Sequence, residues 1–145
     1  MTQLLKLNSH CKVLEIGTGT GYQTAIIAEL IKPGYIYSFE ISKELYHLAY
    51  QNLINYHNVK LYLKDFAESL NEFKKFDRII ITAACSEEPK TLINKLKKNG
   101  ILIAPVGTLK EQYLHKYTKL KNKLKCESFG RYHFVPLKGT HGFVN

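Results

Sequence analysis

Short apolar runs of strand length alternate along this chain with segments of helical period. "KVLEI", Lys12–Ile16, is a compact apolar run of the kind that forms a buried strand. After a glycine-rich turn, "YQTAIIAELI", Tyr22–Ile31, has the length and near-continuous apolar character of a helix packed on a sheet, and Pro33 and Gly34 stop it. "YIYSF", residues 35–39, is β-rich and leads into Glu40. Ser42 then caps a second helix, whose Leu45, Leu48, Ala49 and Leu53 fall on one predicted buried face. "VKLYL", Val59–Leu63, ends before Asp65, and "DRIIIT", residues 77–82, is a branched run expected of a strand covered on both faces. Glu87, Glu88 and Pro89 suit a helix N-terminus leading into "KTLINKLKK", and Asn99-Gly100 turns the chain into the strand "ILIAPV", residues 101–106. The rest reads as two longer strands joined at "KNK".

This alternation is that of βαβ units and predicts the α/β class: a mostly parallel, doubly wound, Rossmann-like sheet with a C-terminal strand pair. A length of 145 residues allows one core, so residues 1–145 are read as a single domain. Ligands of such sheets sit at the carboxyl ends of the strands, near the point where strand order reverses. Glu40, Asp65 and Thr82 follow or end the second, third and fourth predicted strands and would meet there.

The turn itself, "VLEIGTGTGY", places Gly17, Gly19 and Gly21 at alternate positions after a strand that carries Glu15. Glycine admits close backbone approach, and the following helix N-terminus offers free N–H groups to a ligand. Dinucleotide enzymes use G-x-G-x-x-G for a pyrophosphate, whereas this spacing is G-x-G-x-G with an acid beside it. An acid repels pyrophosphate and attracts an ammonium, which favours S-adenosyl-L-methionine over NAD. Glu40 is placed to accept from two ribose hydroxyls and Asp65 from an adenine amino group, with Ile41 or Phe66 as an apolar wall.

Composition narrows the partners. Cys11, Cys85 and Cys126 are widely spaced, with no CxxC or Cys/His ligand pattern, so neither a disulfide framework nor a metal site is expected, and Cys85 is read as a passive small side chain. His10, His47, His57, His115, His133 and His141 show no HxxxH or HExxH spacing. Tyr113 and Tyr117 alternate with apolar residues and are expected to pack on the sheet rather than stack on bases. The net charge of +9 raises a nucleic-acid partner, but the lysines are scattered in sequence apart from "KLKNKLK", residues 119–125, so a solvated basic surface is the reading taken. No apolar run approaches a membrane span and no secretory signal is visible, so a soluble, cytoplasmic protein is expected.

"VLEIGTGTGYQTAIIAEL", "IYSFEIS", "FDRIIITAA", "LINKLKKNGILIAPVG" and "FVPLKG", in this order over nearly the whole chain, resemble the protein-L-isoaspartate O-methyltransferases. The first of these marks only the wider class of Rossmann-like methyltransferases, while "DRIIITAA" with "APVG" and "FVPL" narrows the resemblance to this family. It implies methyl transfer from S-adenosyl-L-methionine to the carboxylate of L-isoaspartyl residues in damaged proteins. It implies cofactor contacts at Gly17, Thr18, Gly19, Glu40, Ile41, Asp65 and Phe66, to which the reading of the turn and strand ends adds Glu15, Gly21 and Thr82.

Two departures stand out. Family members usually have glycine on both sides of the acid matching Asp65, whereas this chain reads "LKDFAES". They also carry an N-terminal segment with a Ser-x-Pro stretch facing the substrate carboxylate, and "MTQLL" resembles the internal stretch that follows it. No catalytic residue is therefore assigned here. The substrate-binding segment is expected to be absent or supplied by a separate chain, and residues 1–145 alone are expected to transfer methyl groups slowly. Two other readings are a cofactor-binding remnant without activity and a nucleic-acid methyltransferase, the latter weakened because "TAACSEEP" stands where a Pro-Pro-aromatic acceptor motif belongs.

Overall fold

A computed structural model describes residues 1–139 and 142–143 of the chain, so His141 lies outside the described residues. The strands are β1 (Lys12–Ile16), β2 (Tyr35–Glu40), β3 (Val59–Leu63), β4 (Phe76–Ile81), β5 (Leu96–Gly107), β6 (Gln112–Lys119) and β7 (Leu124–Tyr132). The helices are α1 (Tyr22–Ile31), α2 (Lys43–Leu53) and α3 (Lys90–Asn94). All strands join one sheet in the order β3-β2-β1-β4-β5-β6-β7. β1 to β5 pair in parallel, and β6 and β7 add antiparallel. This is the predicted Rossmann-like methyltransferase fold with its C-terminal strand pair. The order reverses at β1, between β2 and β4, which puts the switch point at the glycine turn.

Burial follows the sequence pattern. Ile79, Ile80 and Ile81 in β4 are fully buried, each side chain contributing roughly 1.5–3 kcal/mol of apolar burial. One side of the sheet carries Leu14, Phe39, Phe76 and Leu102, and the other Val13, Ile27, Ile31, Ile36 and Ile103. The two clusters are the alternate faces of the same strands.

Three expectations need correction. On α2, Ser42 caps the helix as expected, its Oγ accepting from the Leu45 N–H, and Ala49 and Leu53 are buried. Leu45 and Leu48, however, are 37% and 42% exposed, because the helix leans on the sheet through its C-terminal half. The helix after Pro89 spans only Lys90–Asn94. The Lys95 carbonyl accepts from the Phe76 N–H at 2.8 Å and Leu96 pairs with Phe76, so the sheet captures the chain before a third turn can form. The turn at Asn99 (φ 62) is consequently an irregularity within β5, where the register jumps from Leu96 opposite Phe76 to Ile101 opposite Arg78. Tyr117 packs in the core as expected, while Tyr113 is 40% exposed. Among the described residues no helix is long and apolar enough to cross a membrane.

Candidate cofactor site

The glycine turn, residues 17–21, leaves β1 at the switch point and is pinned from three sides. The Gly17 and Thr18 N–H groups donate to the Phe39 carbonyl at the end of β2, at 2.9 and 3.3 Å. Thr82, just past β4, donates from its hydroxyl to the Ile16 carbonyl at 3.1 Å and to that of Gly17. Asn52 of α2 donates to the Thr20 carbonyl at 2.9 Å. Two glycines serve different ends. Gly19 has φ 58 and open space where a Cβ would stand, so its missing side chain leaves room on the cleft side. Gly21 has φ 86 and caps α1, and a Cβ there would come within 2.9 Å of Leu53 Cδ1, so it serves the packing of α2 on the turn.

Beside the turn opens a cleft of about 480 Å³, within the range of small-ligand sites. Gly17, Gly19, Glu40, Ile41, Asp65, Phe66 and Thr82 line it, bringing together seven of the ten residues singled out from the sequence. Glu40 is 7% exposed, and backbone amides fix its carboxylate: the Gly19 N–H donates to Oε2 at 2.8 Å, and those of Ile41 and Ser42 donate to Oε1 at 2.9 Å. With one of these bonds on Oε2 and two on Oε1, Oε2 keeps acceptor capacity for a ligand hydroxyl. Asp65 caps the short 3-10 turn Phe66–Ser69, accepting from the Ala67 N–H at 2.9 Å. Phe66 packs edge-on to Phe39, and with Ile41 and Leu45 the two rings form an apolar wall.

The other three residues lie outside the lining. Thr18 is buried, its hydroxyl 2.6 Å from that of Ser38. Gly21 has the packing role already described. Glu15 requires a correction, because the sequence reading set its charge beside a ligand ammonium. The structure buries it completely beneath the turn, where Oε2 accepts from the hydroxyls of Ser38, at 2.6 Å, and Thr24. Oε1 has no hydrogen-bond partner among the described residues. Burial pushes its pKa from 4.5 to about 7, the Ser38 and Thr24 hydrogen bonds pulling down and the Glu40 charge adding upward. Because β1 is covered on both faces, its fourth residue has no route to the cleft, and Glu15 acts on the turn through Ser38 and Thr18.

The sequence reading assigned no cleft role to the chain beyond β7. After that strand the chain returns across the ends of β4 and β5: the Ala84 N–H donates to the Val135 carbonyl and the Leu137 N–H to that of Ala84, both at 2.8 Å. Val135, Pro136, Leu137 and Lys138 thereby line the cleft. Buried Gln112 anchors the return, its side-chain amide bonding the Phe134 carbonyl and accepting from the Phe134 N–H. The visible signal was Pro136, which cannot donate within a central strand. Cys85 is 1% exposed and burial pushes its thiol up to about 12, so it is inert as a nucleophile. Among the described residues no histidine or cysteine lines the cleft, and no group of three or more His, Cys, Asp or Glu is placed to hold a metal.

Comparison with known proteins identifies the family that shares this fold. The family model for protein-L-isoaspartate(D-aspartate) O-methyltransferase matches residues 1–142. The protein-L-isoaspartate O-methyltransferase of Dictyoglomus thermophilum is 45% identical over 145 residues, covering 99% of this chain, and the chain spans 65% of that relative's length. Among solved structures, a putative enzyme of this name from Plasmodium falciparum, in complex with S-adenosyl-L-homocysteine, superposes with a TM-score of 0.82 at 28% identity, over 94% of this chain and 68% of the other. A further protein-L-isoaspartate O-methyltransferase gives a TM-score of 0.86 at 28% identity, over 97% of this chain and 46% of the other. With its whole described fold inside the match, the chain belongs to the protein-L-isoaspartate(D-aspartate) O-methyltransferase family.

Proposed function

We propose that this chain binds S-adenosyl-L-methionine in the Glu40 cleft and takes part in methyl transfer to the carboxylate of L-isoaspartyl residues, a protein-repair reaction. The observation that carries the proposal is the pairing of a carboxylate held by three backbone amides with an open glycine and an apolar wall, in a cleft that no histidine or cysteine lines among the described residues. The donor set fits the cofactor. Glu40 would accept from ribose hydroxyls, Ile41, Leu45 and Phe66 would cover the adenine, and the space above Gly19 would admit the methionine portion.

When bound, S-adenosyl-L-methionine supplies a sulfonium-activated methyl group. The acceptor carboxylate is already ionised near pH 7, so transfer needs no proton removal. Transfer to that carboxylate would exchange the donor's S–C bond for an O–C bond, leaving the neutral thioether S-adenosyl-L-homocysteine in the cleft held by Glu40. The protein's share is alignment and exclusion of water. The pinned turn and the amide-held Glu40 fix the floor of the cleft, and residues 135–138 close one side. Because the chain spans 65% of its first relatives' length, further substrate contacts would come from the part it does not match, on the same polypeptide or on a separate one.

The test is methyl incorporation from radiolabelled S-adenosyl-L-methionine into an isoaspartyl peptide and into its L-aspartyl counterpart. Labelling of the isoaspartyl peptide alone is expected, slow for residues 1–145 and faster with a family-type N-terminal segment supplied. Cofactor binding without labelling under either condition would reduce the function to cofactor binding.

A further inference from the structure

A carboxyl with no part in the reaction described above lies beneath the glycine turn. Glu15 is fully buried, and its Oε1 has no hydrogen-bond partner among the described residues. Its other oxygen heads a chain of hydroxyls. Oε2 accepts from Ser38 Oγ at 2.6 Å and from Thr24 Oγ1, and Ser38 Oγ lies 2.6 Å from Thr18 Oγ1. Thr18 stands between Gly17 and Gly19, which line the cleft, and the Gly19 N–H is bound to Glu40. The chain therefore runs from a buried acid to the backbone on which a ligand would rest.

Each hydroxyl carries one proton, so the chain has two directions. With Glu15 ionised, Ser38 and Thr24 both donate to Oε2 and Thr18 donates to Ser38, which leaves a negative charge under the turn. With a proton on Oε2, that proton points to Ser38, the Ser38 proton to Thr18, and the Thr18 proton is freed from the chain. The groups that face this carboxyl are Ser38 on β2, Ile80 on β4, Thr24 on α1 and Thr18 on the turn, all uncharged. Glu40, at the end of β2, is the charge that Glu15 feels, and neither acid has an ion-pair partner among the described residues. Burial raises the Glu15 pKa to about 7, so near neutral pH the carboxyl is balanced between its two forms. Two acids without a cation thus underlie the cleft, and a ligand that brings positive charge favours the ionised form.

We propose that Glu15 is a positioning residue that gives up a proton to solvent when a positively charged ligand fills the Glu40 cleft, so that the chain tells a sulfonium donor from its neutral thioether product by charge. The inference rests on the reading of this cleft as an S-adenosyl-L-methionine site. Donor and product differ by one methyl group and one positive charge. The sulfonium offsets the cost of a buried carboxylate under the turn, and the thioether leaves that cost in place. By linkage, the ligand that favours ionised Glu15 expels a proton as it binds and binds more tightly as pH rises through the pKa. Once the sulfonium charge is gone, Glu15 recovers its proton from solvent, and the product loses the electrostatic part of its hold.

Calorimetric titration of the whole chain with S-adenosyl-L-methionine near neutral pH, in phosphate and in Tris, counts the protons released on binding. Lowering the Glu15 pKa from about 7 by about one unit would release about 0.4 proton at about pH 7 and raise affinity about fourfold between about pH 6 and pH 7.5. S-adenosyl-L-homocysteine should release fewer protons and bind with a flatter pH profile. In Glu15→Gln the release and the pH dependence of the donor should both fall to those of the product, since the ligand's own amino group titrates alike against either protein. If that variant does not melt cooperatively, the comparison of donor with product in the parent decides. Donor binding without proton release, equal release with donor and product, or a release unchanged in Glu15→Gln would overturn the inference and leave the cleft reading intact. Absence of donor binding to the parent would overturn that reading and this inference with it.

Discussion

Replacing Glu15 by Gln should make the stability difference between variant and parent depend strongly on pH. Glu15 is fully buried, with Oε2 held by Ser38 and Thr24 and Oε1 without a partner, so its charged form meets low polarity and only partial hydrogen bonding. Its pKa is raised from 4.5 to about 7, so between these values the folded state holds a proton that the unfolded state has released. The stability associated with the protonated carboxyl is therefore complete below about pH 4.5 and is lost as pH rises through about 7. Integrating the two titrations gives a loss of roughly 2–3 kcal/mol for the parent between about pH 5 and pH 8. Gln keeps the shape and does not titrate. Its amide at the Oε1 position adds a pH-independent offset of about 1–3 kcal/mol if left unpaired, so the change of the difference with pH is the readout. Carboxylates that do not interact with position 15 contribute equally to both proteins and cancel. Urea unfolding of the pair at several pH values measures it, and the parent should lose ground against Glu15→Gln as pH rises. A difference flat in pH would mean that the carboxyl titrates as an exposed one, and the burial argument would be wrong.

Glu40→Ala should weaken S-adenosyl-L-methionine binding by roughly 1.5–3 kcal/mol, read by calorimetric titration, because it removes a charge-assisted acceptor. The freed N–H groups of Gly19, Ile41 and Ser42 should show faster hydrogen exchange in the same variant. Gly21→Ala should act on the fold: φ 86 and a Cβ within 2.9 Å of Leu53 lower the melting temperature, by an amount corresponding to at least about 1–2 kcal/mol. An unchanged melt in Gly21→Ala with lost ligand affinity would move that glycine from helix packing to the ligand.

The parts legible in the sequence were those where local pattern and tertiary demand agree. β1, α1 and β3 were read to the residue because each is bounded by glycine, proline or a polar turn and is filled by apolar residues. Glu40 and Asp65 were legible because a strand end in a doubly wound sheet is a place in the fold as well as in the chain. α3 was overestimated because "KTLINKLKK" has helical propensity throughout, and pairing of Leu96 with Phe76, a tertiary term, outweighed it. Glu15 was misplaced because its distance along the chain from Gly17 says nothing about which side of a doubly covered strand it occupies. Pro136 marks only that this stretch is not a central strand; the return of residues 134–138 over the cleft depends on Gln112, on another strand, and nothing within 134–138 encodes that contact.

The central claim is that the Glu40 cleft is an S-adenosyl-L-methionine site opened by the glycine at position 19. Calorimetric titration of the chain and of Gly19→Val with S-adenosyl-L-methionine and with NADH tests it most directly. The parent should bind the methyl donor at one site and NADH not at all. The variant, whose added side chain enters open space on the cleft side, should lose that binding while keeping a cooperative melt, somewhat lowered by the left-handed φ of 58. Binding of NADH without S-adenosyl-L-methionine, or full affinity in Gly19→Val, would contradict the account.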